Sequence, residues 1–103
     1  MLEIKDINTP DWQSITSARR VLVDFWAPWC EPCKVQEKIL KDVLADIDPN
    51  IAILKMNIDD NRWLSQKLGI RNIPSMVIYD DSKEIMRLDG LQSKEVIIKA
   101  LKK

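Results

Sequence analysis

The chain has 103 residues, the size of one ordinary domain, and we expect a single domain over residues 1–103. Lysine plus arginine and aspartate plus glutamate each number 16, a balance that disfavours nucleic acid and anionic membranes as partners. Histidine is absent, which excludes Ser/His and Cys/His nucleophile pairs and leaves proton transfer to carboxylates or thiols.

Near the amino terminus, the sequence predicts a brief strand over residues 2–5 and a short helix that ends near residue 17. Thr9 is expected to cap this helix, with Pro10 as its first residue. The start of the sequence is too charged for a signal peptide, and no apolar run approaches the ~20 residues that span a bilayer. We therefore expect a cytoplasmic protein.

A β-branched and aromatic run over residues 21–26 predicts a central strand that is covered on both faces. Asp24 lies inside this run as a carboxylate that needs an explanation. Apolar residues at helical spacing then predict a long helix over residues 34–47; they are Val35, Ile39, Leu40, Val43, Leu44 and Ile47. Residues 51–58 predict another buried strand, interrupted by Lys55, and the helix between the two strands should make them parallel.

The rest of the chain predicts a short helix over residues 61–68 that ends at Gly69, followed by an antiparallel hairpin of strands 75–79 and 84–89. Asp81 and Ser82 stand where Asn-Gly is common, which weakens the turn signal. Ser93 is expected to cap a last helix, whose inward-facing residues are Val96, Ile97, Ala100 and Leu101. This alternation predicts an α/β sandwich with helices on both faces of the sheet.

Two cysteines, Cys30 and Cys33, stand where the central strand ends and the long helix begins. Free N–H groups and the helix dipole at that position favour a thiolate on Cys30, and Pro32 lacks an N–H that would have no helical partner. Cys33, one turn deeper, is placed to act as the resolving thiol. A C-x-x-C pair beside a βαβ pattern indicates redox chemistry. Half of a zinc site and a pair of buried structural thiols are the alternatives, and the chain lacks the further cysteines or histidines that a zinc site needs.

The sequence resembles the thioredoxin family over nearly its whole length. Residues 23–34 are similar to the active-site segment of that family, residues 56–59 to its third strand and residues 69–74 to its proline loop, with Gly90 after the last strand. The resemblance implies a thioredoxin fold, in which four helices flank a five-stranded mixed sheet of order 1-3-2-4-5. Both hairpin strands are expected to run antiparallel to the first three. The implied activity is the reduction of protein disulfides, for which no cofactor or metal is expected.

The resemblance also implies roles for residues outside the cysteine pair. Asp24, if buried without a partner, should have a raised pKa and act as the general base that takes the proton of Cys33. Lys55 resembles the family lysine that lies near that aspartate. A cis bond between Ile73 and Pro74 would set the Ile73 backbone beside the sulfurs, where it could pair with an extended substrate. The expected apolar docking surface consists of Trp29, Pro32, Ile73, Pro74 and Gly90.

Glu31 departs from the family pattern, which most often has glycine there, and is expected to affect partner choice more than chemistry. The predicted function is a thiol–disulfide oxidoreductase that reduces cytoplasmic proteins, is itself reduced by a thioredoxin reductase and acts as a monomer. Two alternatives stay open. One is a thioredoxin-like interaction module whose cysteines oxidise but do not turn over, and the other is an oxidase or isomerase that works in the opposite direction.

Overall fold

A computed structural model of the chain describes residues 4–16 and 20–103. Five strands form one sheet; they are β1 (Lys5–Asp6), β2 (Arg20–Trp26), β3 (Ile51–Asn57), β4 (Ser75–Asp80) and β5 (Lys83–Asp89). A 3₁₀ turn (Thr9–Asp11) precedes the helices, which are α1 (Trp12–Thr16), α2 (Glu31–Asp46), α3 (Arg62–Lys67) and α4 (Lys94–Leu101). Among the described residues, no helix is long and apolar enough to cross a membrane.

The strand order is β1-β3-β2-β4-β5, which confirms the predicted order. β3 pairs in parallel with both β1 and β2, as expected for strands joined by a helix. β4 is antiparallel to β2, and β5 is antiparallel to β4. The expectation that both hairpin strands oppose the first three is therefore wrong for β5, because two successive antiparallel pairings restore the original direction.

The central strand, β2, is buried on both faces over residues 21–25. On one face its odd-numbered residues belong to an apolar cluster that includes Leu64 of α3. On the other face Leu22 packs with Leu40 of α2 and Ile97 of α4. Because strand residues alternate between faces, Asp24 shares the α2 face with Leu22. The Asp24 carboxyl group therefore lies in the layer between β2 and α2.

The first helical turn begins one residue earlier than predicted, since Asn8 is its N-cap residue and Thr9 already belongs to the turn. The expected capping role of Thr9 is wrong, because its side chain has another partner: Thr9 Oγ1 donates to Asn61 Oδ1 at 2.8 Å. The predicted strand at residues 2–5 and the predicted helix end near residue 17 lie partly outside the described residues.

Two residues that the apolar pattern placed inside the core are exposed. Val35 is 47% exposed while its neighbour Gln36 is fully buried, because Gln36 lies on the same face of α2 as Cys33 and Leu40. Val96 is 42% exposed, because the buried stripe of α4 runs through Ile97, Ala100 and Leu101. The predicted long helix is confirmed, with Cys30 as its N-cap residue and Ile47 as its C-cap residue.

The β4–β5 hairpin turns through only two residues, since Asp80 pairs with Lys83. The intervening Asp81 and Ser82 have φ angles of 52° and 71°. Positive φ at both central positions is the requirement of the type I′ turn, which explains why Asn-Gly is common there. This chain forms the same turn with two residues that carry side chains.

Candidate active site

Cys30 and Cys33 are joined by a disulfide at the start of α2. Cys30 has an extended backbone and caps the helix, and its Sγ accepts a hydrogen bond from the Cys33 N–H at 3.2 Å. The turn that leads from β2 into this cap is closed by the Cys30 N–H, which donates to Ala27 O at 3.1 Å. The Cys33 amide and the positive end of the helix dipole both meet the Cys30 sulfur, and a helix N-terminus is a position that generally favours a thiolate over a thiol.

The cysteine pair is buried with Ala27, and Trp26, Ile58 and Ile73 pack against this cluster. Ile73 therefore reaches the pair from the loop that precedes β4. The Ile73–Pro74 peptide bond is cis, and Pro74 O accepts a hydrogen bond from the Gly90 N–H at 2.8 Å. The fold thus brings Ile73 against the disulfide and joins Gly90 to Pro74, the next residue after Ile73. Pro74 itself is buried, so its ring adds little to any exposed surface.

The other predicted docking residues lie on the solvent side of the pair. Glu31 and Pro32 are exposed in the first turn of α2, and Glu31 forms an ion pair with Lys34 at 3.0 Å. Trp29 is 66% exposed, and its Nε1–H donates to Asp59 Oδ2 at 2.9 Å. Asp59 comes from the loop after β3 and escapes sequence reasoning, because nothing local connects it with Trp29. This bond fixes the ring against the loop.

Asp24 is buried beneath α2 with 1% of its surface exposed. Within the described part of the chain, its Oδ1 has no hydrogen-bond partner. Burial raises the pKa of Asp24 from 3.8 to about 8; the negative charge of Glu37 adds to this rise, and the positive charge of Lys55 opposes it. The carboxyl group therefore titrates close to neutral pH.

Lys55 stands directly opposite Asp24 in the parallel pairing of β2 with β3. Its ammonium lies 2.9 Å from Glu37 Oε1 and 3.7 Å from Asp6 Oδ2. Burial lowers the pKa of Lys55, but the hydrogen bond to Glu37 and the charges of Glu37, Asp6 and Asp24 outweigh burial and raise it overall. Sequence reasoning missed Glu37, which lies one helical turn beyond Cys33 on α2.

A second polar residue of α2 was also missed. Gln36 is fully buried, and its side-chain amide bonds to the backbone of Gln92 in the segment between β5 and α4. Gln92 Nε2 in turn donates to Asp89 O at 2.8 Å. These bonds connect the helix that carries the cysteines with the segment that carries Gly90. Among the described residues, no three His, Cys, Asp or Glu side chains are grouped as metal ligands.

The thioredoxin family model matches residues 3–103. The chain belongs to the thioredoxin family. A thioredoxin of Chlamydia pneumoniae is 33% identical over 100 residues, which cover 97% of both chains. A thioredoxin of Staphylococcus aureus is 31% identical over 102 residues, which cover 99% of this chain and 98% of the relative.

Solved thioredoxin structures share the fold. A mutant thioredoxin from Halobacterium salinarum superposes with a TM-score of 0.86 at 25% identity, covering 96% of this chain and 87% of that one. Chloroplastic thioredoxin z superposes with a TM-score of 0.87 at 23% identity, covering 99% and 94%, and so agrees in fold alone. With the redox pair of a thioredoxin at the start of α2, the chain is a thiol–disulfide oxidoreductase of the protein-disulfide reductase class.

Proposed function

We propose that this thioredoxin-family protein reduces disulfides of cytoplasmic proteins in two exchange steps that begin at Cys30. The Cys30 thiolate attacks one sulfur of the substrate disulfide, and the other substrate sulfur leaves as a thiolate. Cys33 then attacks Cys30 Sγ, which breaks the mixed disulfide, releases the second substrate thiolate and leaves the Cys30–Cys33 disulfide. The two cysteines supply the two electrons that the substrate gains. The observation that carries this order is the capping position of Cys30, whose sulfur accepts the Cys33 N–H.

Asp24 serves in this proposal as the general base of the second step. Cys33 must lose its proton before it attacks, and Asp24 lies in the layer between β2 and α2, on the face that α2 covers. Burial without a partner supports the role, because it raises the pKa of Asp24 to about 8 and so matches the carboxylate to a thiol proton near neutral pH. Lys55 moderates that rise through its charge.

Substrate docking is proposed to use the backbone of Ile73 and the surface around the disulfide. An extended substrate segment would pair with that backbone by β-augmentation, next to the sulfur of Cys30. The exposed Trp29 ring, Pro32 and Gly90 would border it, and Glu31 would select among partners by charge. A thioredoxin reductase would then return two electrons to the disulfide, and the protein would work as a monomer.

The test is reduction of insulin by dithiothreitol, with and without the protein. We expect catalysis from the parent, none above background from Cys30→Ser, and a trapped mixed disulfide with insulin from Cys33→Ser. Parent activity no better than that of Cys30→Ser would favour the interaction module. Equilibration with glutathione decides the direction, since a couple more oxidising than glutathione would favour the oxidase or isomerase. Recovery of the dithiol by NADPH and a bacterial thioredoxin reductase tests the partner.

A further inference from the structure

We propose that Glu37 is a positioning residue that captures the Lys55 ammonium, so that Asp24, buried on the face of β2 that α2 covers, stays without an ion-pair partner. This inference rests on the proposed role of Asp24 as the general base. Lys55 and Asp24 are neighbours across the β2–β3 pairing, and a lysine beside a buried carboxylate is expected to pair with it. Such a pair would hold Asp24 ionised and make it a weak base.

The contacts of Lys55 show where its charge goes instead. Lys55 Nζ lies 2.9 Å from Glu37 Oε1, 3.7 Å from Asp6 Oδ2 and 5.0 Å from the centre of the Trp26 ring. Within residues 4–16 and 20–103, no ion pair joins Lys55 to Asp24. A charge-assisted hydrogen bond therefore holds the Lys55 ammonium at Glu37 on α2, and not at Asp24 on β2.

The Lys55, Glu37 and Asp24 side chains are all at least partly buried, which strengthens the interactions between their charges. The Lys55 and Glu37 side chains are 17% and 32% exposed, whereas Asp24 is 1% exposed. Charges in such a place interact more strongly than charges in water. If the ammonium moved from Glu37 to Asp24, the Glu37 carboxylate would be left to solvent, and the Asp24 carboxylate would be stabilised in its ionised form by an ion pair.

The charged groups around Asp24 come from three elements. Lys55 on β3 and Glu37 on α2 act on it directly, and Asp6 on β1 contacts Lys55. Lys41 on α2 contacts Glu37 from the solvent side at 3.6 Å. The neighbour of Asp24 on β4 is the uncharged Met76. Glu37 is thus placed to act on Asp24 both by its own charge and by its hold on Lys55.

Substitution of Glu37 by Gln removes the negative charge and keeps a side-chain oxygen of the same size. The substitution should lower the pKa of Asp24 in two ways. The repulsion between Glu37 and the ionised Asp24 is lost, and Lys55 is freed to move toward Asp24. We expect the midpoint of Asp24 ionisation to fall by roughly one pH unit or more. Lys55→Met should raise that midpoint, because it removes a positive charge that favours the ionised form.

The experiment follows the carboxyl carbon of Asp24 by NMR between pH 5 and 10 in the oxidised protein. Glu31→Gln is the matched control, since it removes an exposed carboxylate from the same helix and should leave the midpoint unchanged. An unchanged or higher midpoint in Glu37→Gln would overturn the proposal. The dispersed NMR spectrum reports in the same samples that the variant is folded.

A double-mutant cycle separates positioning from simple repulsion. If Glu37 acts through Lys55, the change caused by Glu37→Gln should be smaller in a Lys55→Met background than in the parent. An equal change in both backgrounds would show that Glu37 acts by its own charge alone and would reject the positioning role.

Release of a protein substrate from its mixed disulfide with Cys30, measured in a single turnover against pH, separates this inference from the proposed function. In Glu37→Gln the midpoint of the pH profile of the release rate should fall together with the midpoint of Asp24 ionisation. The release rate at high pH should also fall, because Asp24 is then a weaker base. A moved Asp24 midpoint with an unmoved release profile would reject Asp24 as the base and leave the hold of Glu37 on Lys55 intact.

Discussion

The side-chain amide of Gln36 and the backbone of Gln92 form a closed pair of hydrogen bonds. The Gln92 N–H donates to Gln36 Oε1 at 2.8 Å, and Gln36 Nε2 donates to Gln92 O at 3.2 Å. Gln36 lies three residues beyond Cys33, and Gln92 lies two residues beyond Gly90. One buried amide therefore sets the spacing between α2, which carries the cysteines, and the proposed docking edge, which consists of the Ile73 backbone and Gly90.

Gln36→Leu should loosen that edge. The variant leaves the partly buried N–H and C=O of Gln92 without these partners, which should cost roughly 1 to 3 kcal/mol of the free energy of unfolding. We expect KM for a protein disulfide to rise several-fold, with little change for a small aromatic disulfide that needs no docking edge. Urea unfolding and the two activity assays measure both effects. Equal losses with the two substrates would show that Gln36 has a structural role only.

Asp24→Asn should make stability less dependent on pH. The pKa of Asp24 is about 8 in the folded protein and 3.8 for an ordinary aspartate, so between these values the folded state holds a proton that the unfolded state has released. Unfolding then becomes easier as pH rises, by about 1.4 kcal/mol per pH unit. The Asn variant does not lose stability in this way, so its advantage over the parent in the free energy of unfolding should grow from pH 5 to pH 8.

Urea denaturation of the two oxidised proteins at pH 5, 6.5 and 8 measures that advantage. Between pH 5 and neutral pH it should grow by about 2.5 kcal/mol. A constant difference across the three pH values would mean that Asp24 is ionised in the folded protein.

The same substitution should slow catalysis while it stabilises the fold. Without a general base, Cys33 loses its proton less readily, and release of substrate from the mixed disulfide should slow roughly 10- to 100-fold. Formation of the mixed disulfide by Cys30 should change little. Stopped-flow fluorescence with a labelled substrate separates the two steps, and release at the parent rate between pH 6 and 8 would remove Asp24 from the mechanism.

The cysteine pair and the main elements could be predicted from sequence because their signals are local. The β-branched run of β2, the apolar spacing of α2 and the C-x-x-C at their junction lie within 26 residues, from Val21 to Asp46. Gln36 and Glu37 could not be predicted, since their partners Gln92 and Lys55 are brought to them only by the packing of α2 on the sheet. Helical spacing also does not define the edges of a buried stripe, and Val35 and Val96 lie beyond those edges and are exposed.

The two-residue hairpin turn offers a gain in stability. Ser82 has a φ of 71°, a conformation that costs a residue with a side chain roughly 1 to 2 kcal/mol and costs glycine nothing comparable. Ser82→Gly should therefore raise the free energy of unfolding by about 0.5 to 1 kcal/mol, after subtraction of the greater chain entropy of glycine. Lys83→Gly, one residue later in β5, is the control and should lower stability. Thermal unfolding of the three proteins checks both signs.

Glu31 should have little influence on the reactivity of Cys30. Its carboxylate is exposed and bound to Lys34 at 3.0 Å, so it lies in solvent at the helix start and not against the sulfur. For a separation of about 7 Å in a near-aqueous medium, the repulsion between the carboxylate and a thiolate is about 0.6 kcal/mol. Glu31→Gln should therefore raise the rate of Cys30 alkylation at pH 7 less than about threefold, and salt should reduce the effect further.

The larger effect of Glu31→Gln is expected on partner choice. An exposed carboxylate on the surface next to the cysteine pair attracts basic partners, so the variant should lose kcat/KM with a basic substrate protein at low ionic strength and lose little with an acidic one. Glu95→Gln, which removes an exposed carboxylate at the start of α4, is the matched control for net charge. An alkylation rate that changes more than tenfold in the Glu31 variant would place its carboxylate against the sulfur, and equal changes for both substrates would exclude selection by charge.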